Sequence, residues 1–184
     1  MRVVAGKFRG RTIRSPNSDA IRPTADRLRE SLFNILVHAY GNPIIDARVL
    51  DLFAGTGALG IEAISRGARS VLFVDDSAEG RALLRENVEA FALGGIAKIF
   101  RRDATNLGQV HPNEPFTLVF CDPPYRKGLA ELALASASSG GWLAPGAFVV
   151  VEEATDAKFA APEGFEELER RAYDDTEFVI LRAA

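Results

Sequence analysis

The chain has 184 residues, 47% of them hydrophobic, and a net charge of −3; that is enough apolar material for one sizeable core and scarcely for two. One cysteine, Cys121, excludes an internal disulfide, and with only two histidines there is no Cys/His cluster of the structural zinc type. No apolar run is long enough to span a bilayer, and Met1-Arg2-Val3-Val4-Ala5-Gly6-Lys7 lacks the apolar centre of a secretory signal, so a cytoplasmic protein with no membrane or metal partner is expected.

The charge is unevenly spread. Residues 1–29 carry eight basic side chains against two acidic ones, a local +6 beside −9 for the remainder. A basic arm on an acidic body suits contact with phosphates, with Arg2, Lys7, Arg9, Arg11, Arg22 and Arg27 as candidate RNA-binding residues. The plainer reading is a flexible tail of solvated charges, and on either reading residues 1–14 are expected to be removable without loss of the core. Within the arm, 3–6 and 11–13 fit a short hairpin and 16–23 a loop. Leu28, Leu32, Ile35, Leu36 and Ala39 then recur at helical spacing; Thr24 suits the N-cap, and Gly41-Asn42-Pro43 stops the helix near Tyr40. One domain over 1–184 is expected, with a basic extension at 1–43 and a catalytic core at 44–184.

Short apolar segments at 48–53, 70–74, 97–100, 116–120 and 147–151 read as strands, separated by helical candidates near 58–66, 78–92 and 128–138. Strands separated by helices cannot be hairpin partners. The pattern therefore predicts an α/β fold, a mostly parallel sheet with helices on both faces and ligands at the carboxyl ends of its strands. Segments 168–172 and 178–181 leave no room for a helix between them and fit an antiparallel terminal hairpin.

The loop Asp51-Leu52-Phe53-Ala54-Gly55-Thr56-Gly57-Ala58-Leu59-Gly60 joins the first of these strands to a helix. Its glycines satisfy a dinucleotide fingerprint, and Asp75 stands 20 residues beyond Gly55, so NAD is a rival ligand. Asp51 separates the two readings: a carboxylate at the loop's mouth repels a pyrophosphate and suits the ammonium group of S-adenosylmethionine. On that reading Asp51 serves the methionine end, and the Phe53, Ala54, Gly55, Thr56 and Gly57 backbone lines the cofactor. Asp75 accepts the ribose hydroxyls; Asp76 is the alternative, less favoured because Ser77 then falls at the next helix's N-cap. Arg102-Asp103-Ala104 offers Asp103 as acceptor for the adenine amino group, although an acid after a strand is more often a turn or cap. Trp142 is a candidate fluorescence reporter of which nucleotide binds.

Asp122-Pro123-Pro124-Tyr125 follows the fourth strand and opens on the same sheet edge. An exocyclic base nitrogen is a poor nucleophile because its lone pair is delocalised into the ring. The Asp122 side chain and the Pro123 carbonyl can bind its hydrogens and aim the lone pair at a methyl group, in a turn that Pro123 and Pro124 stiffen, while Tyr125 stacks on the base. His38, His111 and Cys121 read as structural residues, and no covalent nucleophile is expected.

These two motifs resemble those of class I methyltransferases acting on base amino groups. Arg2-Val3-Val4-Ala5-Gly6-Lys7-Phe8-Arg9-Gly10-Arg11 and Arg22-Pro23-Thr24-Ala25-Asp26-Arg27-Leu28-Arg29-Glu30-Ser31-Leu32-Phe33-Asn34 further resemble the bacterial RsmD family, over nearly the whole chain. The resemblance implies a Rossmann-like seven-stranded sheet and transfer from S-adenosylmethionine to guanine N2 of 16S ribosomal RNA. It also implies catalysis by Asp122 and the Pro-Pro-Tyr turn, a cofactor pocket to which the Arg22-Pro23-Thr24 segment contributes, and an RNA partner within a 30S subunit or assembly intermediate. A monomer is expected. Asp75 stands where the family usually has a glutamate. The alternatives are a DNA adenine-N6 methyltransferase, for which 184 residues leave little room for a target-recognition domain, and a non-catalytic RNA-binding assembly factor, against which the intact Asp51, Gly55, Gly57, Asp122 and Tyr125 speak.

Overall fold

Helix α1 (Pro23–Ala39) begins on a proline, whose fixed φ and missing N–H suit a first helical position. Strand β1 (Arg48–Leu52) leads into α2 (Ala58–Ser65), β2 (Ser70–Val74) into α3 (Ala78–Ala90), then come β3 (Ala97–Phe100), β4 (Phe116–Cys121), α4 (Leu129–Ser139) and β5 (Leu143–Ala154). A 3-10 turn at Thr155–Ala157 precedes β6 (Phe165–Tyr173) and β7 (Thr176–Ala183). This computed structural model describes residues 1–16 and 23–184, with Pro23 and Thr24 by backbone alone. Arg22, most of the expected 16–23 loop and the proposed Thr24 side-chain cap lie outside the described residues.

The strands form one seven-stranded sheet in the order β3-β2-β1-β4-β5-β7-β6. β1 to β5 pair in parallel, and β7 pairs antiparallel with β5 and β6. The order reverses between β1 and β4, which opens a crevice at the carboxyl ends of those two strands. Alternate residues supply two cores. Val49, Phe73, Phe120, Val150 and Phe178 pack under α1, α2 and α3; Leu50, Leu72, Val119, Val149 and Val179 pack with α4, Trp142 and Phe159. Helices thus cover both faces, as the apolar strand pattern requires.

Three strands run well beyond their expected lengths, β7 by two residues at each end. β5 starts at Leu143 rather than at 147 because the Pro145-Gly146 step, which reads as a break, is absorbed where the β4/β5 register shifts between Phe116 and Leu118. β6 spans Phe165–Tyr173 as an edge strand whose Glu and Arg residues face solvent, which weakens its alternating signal and protects the edge.

The N-terminal segment is part of the body and not a tail. Its hairpin is reduced to a single antiparallel bridge, Arg2 to Thr12, tied by hydrogen bonds from the Val3 N–H to the Arg11 carbonyl and from the Ile13 N–H to the Met1 carbonyl. Val3 and Ile13 are buried in the core. The N–H groups of Val4 and Ala5 donate to the carboxylate of Glu62, which is fully buried and also paired with Arg29 and Arg66. At Gly6, φ is +85° and an added Cβ would lie 1.9 Å from the Ser65 carbonyl oxygen, so only glycine fits. The expectation of a removable arm is therefore corrected: Glu62 and the apolar contacts bind it to α2.

Candidate active site

The sheet register sets the site. Asp51 pairs with Phe120, and Phe120 with Val150. Because side chains alternate, Asp51, Asp122 two residues past Phe120, and Glu152 two past Val150 emerge on one sheet face at adjacent strand ends. They line a cavity of about 250 Å3 together with Phe53, Ala54, Thr56, Ala58 and Leu59 of the glycine loop and the start of α2. Met1, Ala25, Leu28 and Arg29 close it from the N-terminal side.

Asp51 is almost fully buried, and one of its carboxylate oxygens accepts the Gly60 N–H at 3.1 Å. Burial, outweighing that hydrogen bond, pushes its carboxyl up to about 8, and the Asp75 charge adds to the rise. Phe53 has φ of 56°, a left-handed conformation that a bulky residue rarely adopts, so the loop carries strain at the cavity wall. At Gly55 (φ +57°) an added Cβ would meet nothing within 4 Å, which leaves the backbone open to a ligand, and the Gly55 N–H donates to Asp75 at 2.9 Å. Asp75 also accepts from the Ser77 N–H and hydroxyl. Ser77 caps α3, accepting the Gly80 N–H, as its position predicts. Asp76 is exposed.

Asp103 is exposed too. It accepts from the Thr105 N–H at 2.8 Å and hydroxyl at 2.7 Å, the turn contact that was the plainer reading, and Ala104 packs in the core beside it. Neither lines the cavity.

In the proline turn, Pro123 is buried and Pro124 exposed. The buried carboxylate of Glu153 accepts the Arg126 N–H at 3.0 Å and anchors the turn's far end. The Tyr125 hydroxyl is not free: it donates to Glu152, and Thr176 Oγ1 lies 3.3 Å from it. Burial, the neighbouring charges of Glu152 and Asp51, and a hydrogen bond with Glu152 hold the Asp122 carboxyl well above the usual carboxylate range. Burial raises Glu152 as well, against hydrogen bonds from Tyr125 and Asp122. Two buried carboxyls this close oppose each other's ionisation. Glu152 was missed because, within Val149-Val150-Val151-Glu152-Glu153, nothing local says which acid faces the cavity; only the β4/β5 register does. Cys121 is buried, which pushes its thiol up and leaves it unreactive.

The candidate RNA-binding residues fall into two groups. Arg2 and Arg27 are exposed and adjoin Met1, Ala25 and Leu28 of the cavity wall. Lys7, Arg9 and Arg11 are exposed at the opposite edge, where the Lys7 N–H donates to the Ser65 carbonyl at the end of α2. Arg11 stacks over Phe8 and Phe91 and donates to the Ala90 carbonyl at 2.6 Å. Arg29 is buried against Glu62 and Asp26, so it is a structural cation. Among the described residues, no group of three or more His, Cys, Asp or Glu side chains is placed to hold a metal ion, and no helix is long and apolar enough to cross a membrane.

The family described as Conserved hypothetical protein 95 matches residues 1–182. The chain is 39% identical over 153 residues to Ribosomal RNA small subunit methyltransferase D of Escherichia coli, covering 83% of this chain and 74% of that one. It is 35% identical over 168 residues to the protein of the same name from Haemophilus influenzae, covering 90% and 84%. A solved structure of the Escherichia coli protein yhhF, described as a candidate methyltransferase, superposes with a TM-score of 0.82 at 30% identity over 100% of this chain and 97% of that chain. With a match running almost end to end, and the sheet order and N-terminal segment included in it, the chain belongs to the ribosomal RNA small subunit methyltransferase D family.

Proposed function

We propose that the chain transfers a methyl group from S-adenosylmethionine to the exocyclic N2 of a guanine in 16S ribosomal RNA, within a 30S subunit or an assembly intermediate. One observation carries the reading: Asp51 and Asp122 face a single cavity, one suited to a cation, the other to an amino group. A buried acid that no salt bridge among the described residues neutralises fits an ammonium group, which would draw off its proton, and gives a pyrophosphate no positive partner. That disfavours NAD. Gly55 offers open backbone, and Asp75 keeps carboxylate capacity for a ribose hydroxyl; these two with Asp51, Phe53, Ala54 and Thr56 would hold the cofactor. Bound S-adenosylmethionine supplies an electrophilic methyl group and leaves as a neutral thioether.

The chain's own work is placement. Asp122 and the Pro123 carbonyl accept the amino hydrogens and turn the nitrogen lone pair toward the methyl carbon. As the new N–C bond forms, the nitrogen becomes cationic and sheds a proton, which the Asp122–Glu152 pair is placed to accept. The ring of Tyr125 offers a stacking face. The test is mass spectrometry of ribosomal RNA from cells lacking the protein. Loss of one N2-methylguanosine, restored by the wild-type chain and not by Asp122→Ala, is expected; an unchanged profile would refute the reading. In the purified protein, Asp122→Ala should abolish turnover while cofactor affinity stays within a few-fold.

A further inference from the structure

The Asp122 side of the cavity holds a second acid, Glu152, beyond the one that binds the amino hydrogens. Resting on the reading that a base amino group is the acceptor, we propose that Glu152 selects guanine by accepting its N1–H while Asp122 accepts from the N2 amino group. The parallel register Phe120 to Val150 and Cys121 to Val151 continues to put Asp122 beside Glu152, and both line the same cavity. Glu152 is held in place, since the Tyr125 hydroxyl donates to its Oε1 and Thr176 Oγ1 lies 3.3 Å from that hydroxyl. Oε1 is thus anchored, and a base edge that brings two donors would take the place of the hydrogen bond between Glu152 and Asp122. Glu153 points to the opposite face and is spent on the Arg126 and Ala154 N–H groups. Arg29 also lines the cavity, but its guanidinium is committed to Glu62, Asp26 and the Arg2 carbonyl.

Two neighbouring carboxyls that no salt bridge among the described residues neutralises call for two neighbouring donors. Among the RNA bases only guanine places a ring N–H next to an amino group. Adenine and cytosine put a lone pair beside theirs, which a carboxylate repels, and uracil has no amino group. The pair therefore separates guanine from adenine by the edge it presents, and gives a reason within this chain for N2 rather than adenine N6 as the target.

The probes are guanosine and 2-aminopurine riboside, titrated by ligand-observed NMR into the full chain with S-adenosylhomocysteine present. 2-Aminopurine keeps the 2-amino group and carries a lone pair at N1. The wild-type chain should favour guanosine by about tenfold or more. In Glu152→Gln the Tyr125 hydroxyl holds the amide oxygen and the amide NH2 faces the base, so the affinity ratio should move toward 2-aminopurine riboside by about tenfold. A merely structural Glu152 would weaken both probes equally. An unchanged ratio in a variant with a wild-type melting profile overturns the assignment. Should Glu152→Gln not fold, Tyr125→Phe, which releases the anchored oxygen, should narrow the guanosine preference severalfold, and a preserved ratio there overturns it equally. Probe binding is read without turnover. A chain that prefers guanosine yet methylates no small-subunit RNA would refute the proposed reaction and leave Glu152 standing, while an unchanged ratio in an active enzyme does the reverse.

Discussion

Asp51 shows how a single buried acid ties stability to function. In the folded chain its carboxyl stays protonated up to about 8, whereas an unfolded aspartate ionises near 4. Between those values the folded state binds the extra proton, so Asp51 makes stability fall as pH rises from about 4 to about 8 and causes no further loss above that. Asp51→Asn removes the charge and keeps an acceptor for the Gly60 N–H. It should raise Tm by about 5 °C or more at pH 9, with the difference vanishing toward pH 4; thermal melts across that range are the check. The same geometry predicts that Asp51 gives up its proton when the cofactor's ammonium group sits beside it. Calorimetry at pH 7 in buffers of different ionisation enthalpy should find release approaching one proton in the wild type and none in Asp51→Asn.

At the scale of elements, the junction between the N-terminal segment and α2 decides whether the cavity exists. Glu62 accepts from the Val4 and Ala5 N–H groups and pairs with Arg29 and Arg66, all at a site shut off from water. Removing one partner of a buried pair leaves the other charge stranded, so Glu62→Ala should cost about 3 to 5 kcal/mol in denaturant titrations. Removal of residues 1–14 should destabilise comparably or more, since Val3 and Ile13 leave the core as well and Met1 leaves the cavity wall. A truncated chain with wild-type stability would contradict this packing. β5 has a practical consequence too. Trp142 precedes its first residue, Leu143, which pairs with Phe116, whereas Glu152 lies beside Asp122; six residues of β4 separate those levels, roughly 20 Å along the strand. Trp142 is thus remote from the cavity, and ligand-induced shifts in melting temperature are the better screen.

For the whole molecule the open question is how a net charge of −3 meets a polyanion. The exposed candidate cations of the N-terminal region lie in two groups, Arg2 and Arg27 near the cavity mouth, Lys7, Arg9 and Arg11 beyond the end of α2. If each cation contacts one phosphate, replacing Lys7, Arg9 and Arg11 by Gln should flatten the slope of log affinity against log salt by about 2 to 3, and the Arg2, Arg27 pair by about 1.5 to 2. Binding titrations of each set on small subunits, at matched thermal stability, would show which edge the RNA crosses. No change with either set would move the contact to Lys127 and Arg126 beside the proline turn, where Arg126 is paired with Asp156.

The sequence alone determined the alternation of strands and helices, the glycine loop and the proline turn, because each is written in local signals: period-2 and period-3.6 apolar spacing, glycines where φ turns positive, prolines that fix a backbone. It also placed Asp51 and Asp122 at the ends of β1 and β4, since an acid that ends an apolar strand has only one edge to occupy. Tertiary structure alone decided the rest. Glu152 enters the site through the pairing of β4 with β5, a contact between segments far apart in the chain, and Tyr125 becomes its anchor by the same pairing. The basic arm became a built-in part of the body because the charge of Glu62, buried on another element, needed donors that only backbone N–H groups of residues 4 and 5 and two arginines could bring to it. Charge counting registers the arginines and lysines of that segment, but not the carboxylate that holds it down.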